Sequence, residues 1–91
     1  MTPKVLSEIL SRYGAGVREG DAIHFDKDTQ VTVFASLGHD ALTIDRVVEL
    51  VSESELVVVT TARKERYVLF YEDIRGVRLI PAGETKKATF L

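Results

Sequence analysis

Residues 41–80 read ALTIDRVVELVSESELVVVTTARKERYVLFYEDIRGVRLI, and this stretch decides the fold. Its apolar, β-branched runs alternate with short polar breaks, SES at 52–54 and RKE at 63–65. Such runs are typical of consecutive antiparallel strands joined by tight hairpins. The run LVVV at 56–59 is apolar at every position, which predicts a strand covered on both faces. The stretch therefore predicts an antiparallel sheet.

The segment 41–51 is compatible with two structures. Its apolar residues fit one face of a helix, but they also fit an alternating strand interrupted at Arg46. Because β-branched residues are disfavoured in helices and common in strands, we favour the strand. The change of parity between Arg46 and Val47 predicts a bulge, which would bend the sheet toward closure.

The residues before this stretch predict one helix and further strands. Thr2 is a suitable N-cap and Pro3 a suitable first helical residue, and apolar residues then follow with helical spacing over 3–13. Gly14 and Gly16 would end this helix. We then expect a linker at 17–21, a short edge strand at 22–25 and an alternating strand at 30–37.

Length and composition indicate one small folded domain. The chain has 91 residues, of which 45% are hydrophobic and 29% charged. We assign residues 1–81 to a helix-plus-β domain and residues 82–91 to a loose tail, since Pro81 cannot extend a strand ladder. A single layer of strands cannot bury both faces, so the sheet must bend, pack against the helix or associate with another chain.

The charge pattern narrows the function. With 12 Lys and Arg against 14 Asp and Glu, the net charge of −2 argues against a DNA partner. The absence of cysteine excludes disulfides and thiolate chemistry. No secretory signal and no span of about 20 apolar residues is present, so we expect a cytoplasmic protein without a membrane partner. We identify no catalytic residues, no metal ligands and no cofactor site.

The order of one helix followed by about five strands, together with the sequence Ile74-Arg75-Gly76, resembles the Sm-like family. In that family, Ile-Arg-Gly leads into the last strand. The resemblance implies a small, strongly bent, five-stranded antiparallel barrel or roll, ring-like assembly, and RNA binding that involves Arg75 and Gly76. SH3-like barrels share this pattern, and a pleckstrin-homology-like domain is the alternative fold.

Two groups of cations are candidates for nucleic-acid binding. Cations beside an aromatic ring can hold a nucleic-acid backbone and stack its bases. The candidate residues, in two neighbouring hairpin and strand segments, are Arg63, Lys64, Arg66, Tyr67, Arg75, Gly76 and Arg78. Nearby acidic residues weaken their field, and such charges also prevent edge-to-edge aggregation of strands. We therefore favour a non-enzymatic protein-interaction or scaffolding module that self-associates through strand edges or its helix. The alternative is an Sm-like RNA-binding module.

Overall fold

The computed structural model describes residues 1–13, 16–26 and 28–80. Within them, one helix is followed by eight strands and a single 3₁₀ turn at Tyr71–Asp73. The elements are α1 (Pro3–Arg12), β1 (Val17–Glu19), β2 (Ala22–His24), β3 (Gln30–Leu37), β4 (Asp40–Ile44), β5 (Val47–Glu53), β6 (Leu56–Thr61), β7 (Arg66–Phe70) and β8 (Ile74–Ile80). Gly14, Pro81 and the predicted tail at 82–91 lie outside the described residues.

The strands form two antiparallel sheets. The larger has the order β1-β2-β5-β6-β7, and the smaller has the order β4-β3-β8. The prediction of a mainly β fold with an N-terminal helix is confirmed. The count of about five strands is too low, because the structure adds β1, forms β2 at the short strand expected at 22–25, and divides the segment 41–51 between the two sheets.

The corner between β4 and β5 carries the chain from the smaller sheet into the larger one. The prediction of a strand rather than a helix is confirmed here, and the irregularity lies at the predicted place. Arg46 has φ 57°, a left-handed conformation that is uncommon for a residue with a Cβ atom. Its carbonyl accepts a hydrogen bond from the Ala62 amide at 2.8 Å, which ties the corner to the end of β6. The pairing then moves from Val47↔Thr61 to Glu49↔Thr60, a local bulge in β5.

Two predictions about the segment that forms the β1–β2 hairpin are wrong. The expected edge strand at 22–25 is an inner strand, since Ala22–His24 lies between β1 and β5. The expected linker at 17–21 contains β1 itself. Gly20, with φ 63°, makes the tight turn that lets β1 fold back on β2. This hairpin widens the larger sheet to five strands.

The core lies between the sheets and under α1. Alternate residues of β3 and β6 are almost completely buried, as are two helix residues one turn apart: Val31, Val33, Val57, Val59, Leu6 and Leu10. The predicted helix is confirmed, with the Thr2 side chain accepting a hydrogen bond from the Val5 amide at 3.2 Å. Burying each such side chain contributes about 1.5–3 kcal/mol, which fixes the helix on the sheet.

The 3₁₀ turn is anchored to the larger sheet by hydrogen bonds at both its backbone and its side chain. The Tyr71 amide donates to the Glu55 carbonyl at 2.9 Å. The buried Tyr71 hydroxyl is hydrogen-bonded to the Ser52 hydroxyl. Tyr71–Asp73 is thus a defined connection from β7 to β8. In the described ranges, no helix is long and apolar enough to span a bilayer.

Candidate functional site

The structure does not bring the predicted nucleic-acid residues together at one site. Arg63 and Tyr67 line one cleft beside the β4–β5 corner, together with Arg46. Arg78 lines an adjoining cleft that also contains Arg46. Arg66 lies on the other face of β7 from Tyr67, because adjacent strand residues point to opposite faces. The sequence prediction missed Arg46, which the corner places between the two clefts.

Arg78 belongs to a polar row that crosses the smaller sheet. Its Nη2 donates to the Thr32 hydroxyl at 3.3 Å, and that hydroxyl donates to the Asp45 carboxylate at 3.0 Å. The guanidinium and the carboxylate also form an ion pair at 3.7 Å, with both side chains more than half exposed. Arg78 is therefore already partnered, which lowers its capacity to hold a phosphate.

Thr32 should contribute to stability through these hydrogen bonds. Thr32 is 3% exposed, and valine would keep its shape while removing the hydroxyl. We expect Thr32→Val to lower the free energy of unfolding by about 1 kcal/mol, the typical net value of a hydrogen bond. Urea unfolding measures this, with the exposed Thr43→Val as the matched control. Equal stability of Thr32→Val and the wild type would show that the row contributes nothing.

Arg75 and Gly76 lie at a bulge in β8. The pairing changes from Phe34↔Gly76 to Ala35↔Ile74, so Arg75 is an extra residue without a partner on β3. A Cβ atom at Gly76 would meet no atom within 4 Å. Packing within the described chain therefore does not require glycine at position 76. The Ile-Arg-Gly sequence marks a bend in the last strand, and Arg75 and Gly76 do not share a cleft with Arg63 or Arg78.

The outward face of the larger sheet, away from the core, has an apolar centre. The strand register aligns Ala22, Val51, Val58 and Val68 in one row across β2, β5, β6 and β7. The adjacent row pairs Glu53 with Leu56 and Leu56 with Phe70. We call these six apolar residues the apolar patch: Ala22, Val51, Leu56, Val58, Val68 and Phe70.

Nothing in the described chain covers the outer edge of the apolar patch. Val68 is 61% exposed and Phe70 is 51% exposed. The other members are partly exposed, since neighbouring side chains on one face of a sheet shield one another. The helix lies on the inward face, where Leu6 and Leu10 belong to the core. An antiparallel sheet normally turns polar residues to water, so this face is unusual.

The apolar run at 56–59 is the sequence feature that corresponds to this face. The run at 56–59 predicted a strand covered on both faces, and Val57 and Val59 are indeed completely buried. Leu56 and Val58 point outward and remain half-buried. The prediction of a strand covered on both faces is therefore correct for the inward face of β6 only. The second covering layer is absent from the described residues.

Charged side chains border the apolar patch. The next row across the larger sheet runs from Val17 through His24, Glu49 and Thr60 to Arg66. His24 lies between two carboxylates, 3.3 Å from Glu49 and 3.6 Å from Glu19. Arg66 has no carboxylate partner among the ion pairs of the described residues. The face thus has an acidic side toward β1 and β5 and a basic side at β7.

Among the described residues, no group of three or more histidine, aspartate or glutamate side chains is placed to hold a metal ion. No family model, curated protein or solved structure matches this chain. The function is therefore inferred from the surface features of the chain itself. Two candidates emerge: the apolar patch, which suits a protein partner, and the clefts around Arg46, which offer cations beside Tyr67.

Proposed function

We propose that this chain is a non-enzymatic protein-interaction module that binds a protein partner on the outward face of its larger sheet. The single observation that supports this is the apolar patch itself. Contiguous exposed apolar surface bordered by polar residues is characteristic of interaction sites and is uncommon elsewhere on monomeric proteins. Val68 and Phe70 also lie on β7, which pairs with β6 alone in the described sheets and so offers a strand edge.

The strand order supports the finer proposal of a single bent roll of the Sm-like or SH3-like type. β4 is an edge strand of the smaller sheet, and β5 is the central strand of the larger sheet. These two strands are the halves of one sharply bent segment. The short 3₁₀ turn then leads from β7 at the edge of one sheet to β8 at the edge of the other. With β4 and β5 counted as one bent strand, β3 to β8 form a path of five strands, which supports this proposal.

A capture experiment with matched lysine variants tests the interaction function. The protein is immobilised, exposed to a lysate from its source, and the retained proteins are identified by mass spectrometry. We expect Val68→Lys to abolish retention, because burying an unpaired ammonium in an apolar interface is costly. Val5→Lys is the control, since Val5 is an exposed valine on α1. If the two variants and the wild type retain the same proteins, the apolar patch is not an interaction site.

The second candidate function is RNA binding at the clefts around Arg46. Arg63 and Tyr67 share a cleft, which is the observation that favours it. The opposing observations are the engagement of Arg78 by Asp45 and the presence of Asp45 and Glu65 in the same cleft. Carboxylates there reduce the attraction for phosphates, so we rank RNA binding second.

We expect no saturable binding of uridine-rich single-stranded RNA at physiological salt, where the Debye length is about 8 Å. Fluorescence anisotropy with labelled RNA provides the measurement. RNA binding would instead appear as a saturable isotherm that weakens steeply with salt, because each neutralised phosphate releases roughly one counterion. Loss of that isotherm on replacing Arg63, Lys64 and Arg66 by serine, or Arg75 by alanine, would reverse the ranking.

A further inference from the structure

We infer that the partner covering the apolar patch is a second copy of this chain, packed face to face about a two-fold axis that runs along β6. The inference rests on the proposed interaction function and identifies its partner. Symmetric dimers place the same surface of each copy in contact, so the surface must complement itself. The strand register shows which of the charged residues bordering the apolar patch would face each other in each symmetric arrangement.

With the two-fold axis along β6, β5 of one copy lies over β7 of the other. Each row of residues across the sheet then faces the same row of the second copy. Glu49 of one copy then faces Arg66 of the second copy, and the same pair forms again by symmetry. Val51 faces Val68 in the adjacent row, and Glu53 faces Phe70 in the third row. On the axis, Leu56, Val58 and Thr60 each face their own counterparts, so two apolar residues and one hydroxyl lie at the centre.

Two other symmetric placements bring like charges together. With the axis perpendicular to the strands through Val58, the row that contains Glu49 in one copy faces the row that contains Glu53 in the other. Glu49 then lies over Glu53 of the second copy. An axis along β5 places Glu49 over Glu49 of the second copy. Like charges facing each other cost several kcal/mol in an interface. Of these three arrangements, only the axis along β6 pairs opposite charges, and it also keeps the two sheets aligned as in sandwich packing.

The size of the face predicts a weak dimer. Three strands about 4.8 Å apart and three rows about 6.8 Å apart cover on the order of 300 Å² of flat sheet per copy. Specific interfaces usually bury about 800 Å² per partner, so this one belongs to the small, transient class. We expect a dissociation constant on the order of 10–100 μM, which makes the dimer visible only at high protein concentration.

A charge-exchange experiment tests the inferred pairing. Sedimentation equilibrium at protein concentrations from about 1 μM to 1 mM measures the dissociation constant of each variant. We expect Glu49→Arg and Arg66→Glu each to weaken the dimer about tenfold or more, since both symmetric contacts become repulsive. The double variant should return to within about threefold of the wild type, because the opposite charges face each other again.

Two further variants separate this pairing from general effects of charge and folding. Arg12→Glu makes the same charge change at the exposed end of α1 and should leave the dimer unchanged. Val58→Lys places two lysines opposite each other on the axis and should leave only monomer at every concentration. Circular dichroism and thermal unfolding confirm that each variant remains folded, so loss of the dimer cannot be ascribed to loss of the fold.

The outcomes distinguish this inference from the proposed function. A wild type that remains monomeric at about 1 mM refutes the second copy as the partner, whatever the capture experiment gives. If Val68→Lys then still abolishes retention of a different protein, the interaction function stands with another partner. A dimer that the double charge exchange does not restore refutes the axis along β6. A dimer that Val58→Lys leaves intact refutes the apolar patch as its interface.

Discussion

Replacing Leu69 by alanine should lower the free energy of unfolding by about 2–5 kcal/mol, the range typical of buried leucines in protein cores. Leu69 is 6% exposed and pairs with the completely buried Val57 on the inward face of the larger sheet. The cost has two parts, the lost transfer of the leucine atoms from water and the cavity that remains. The cost depends on how far the buried neighbours of Leu69 can close this cavity.

The neighbouring residue provides the matched control for that experiment. Val68 lies next to Leu69 in β7 but points outward and is 61% exposed. Val68→Ala should therefore change the free energy of unfolding by no more than about 0.5 kcal/mol. Denaturant unfolding at a protein concentration of about 1 μM keeps the chain monomeric, so association does not add to its apparent stability. Equal losses for both variants would mean that the two faces of β7 have been assigned incorrectly.

Replacing Gly16 by alanine should destabilise the protein by about 2–4 kcal/mol, from two additive causes. Gly16 has φ 82°, a conformation that costs a residue with a Cβ atom about 1–2 kcal/mol. The new Cβ atom would also lie 2.6 Å from Ile23 Cγ2 and 3.0 Å from the Phe25 ring. Ile23 is β-branched and stiff, and Phe25 is buried, so neither side chain can move away without disturbing the core.

The turn of the β1–β2 hairpin separates these two causes. Gly20 also has a positive φ, 63°, but a Cβ atom there would meet nothing within 4 Å. Gly20→Ala should therefore cost about 1–2 kcal/mol from the backbone alone. The difference between the two variants in thermal or urea unfolding measures the steric contribution at Gly16. A Gly16→Ala variant as stable as Gly20→Ala would show that the core beside β2 can rearrange freely.

Much of the local structure was predictable, because local structure depends on residues close in sequence. The helical spacing of Leu6 and Leu10, with Thr2 as the cap, predicted α1 to within one residue at its end. The alternation of residues 30–37 predicted β3 at its observed bounds. These features need only side-chain periodicity and capping hydrogen bonds within a few residues.

The arrangement of these elements depended on pairing between residues distant in sequence. Alternation defines two faces of a strand, but the covering of each face depends on where the other elements pack. For this reason Val57 and Val58 could not be separated into core and surface from the run at 56–59. The hydrogen-bonded row of Thr32, Asp45 and Arg78 likewise required the register of β3 with β8.

The amino-acid sequence by itself determined that this chain forms one helix and a series of short antiparallel strands with a sharp irregularity near Arg46. Only the tertiary structure decided that this irregularity is a corner between two sheets and that the β1–β2 hairpin extends one of them. It also decided that Glu49, Val58 and Arg66 share an outward face. The physical reason is that a shift of one residue in strand register exchanges the two faces of a strand, and register is fixed by contacts across the whole domain.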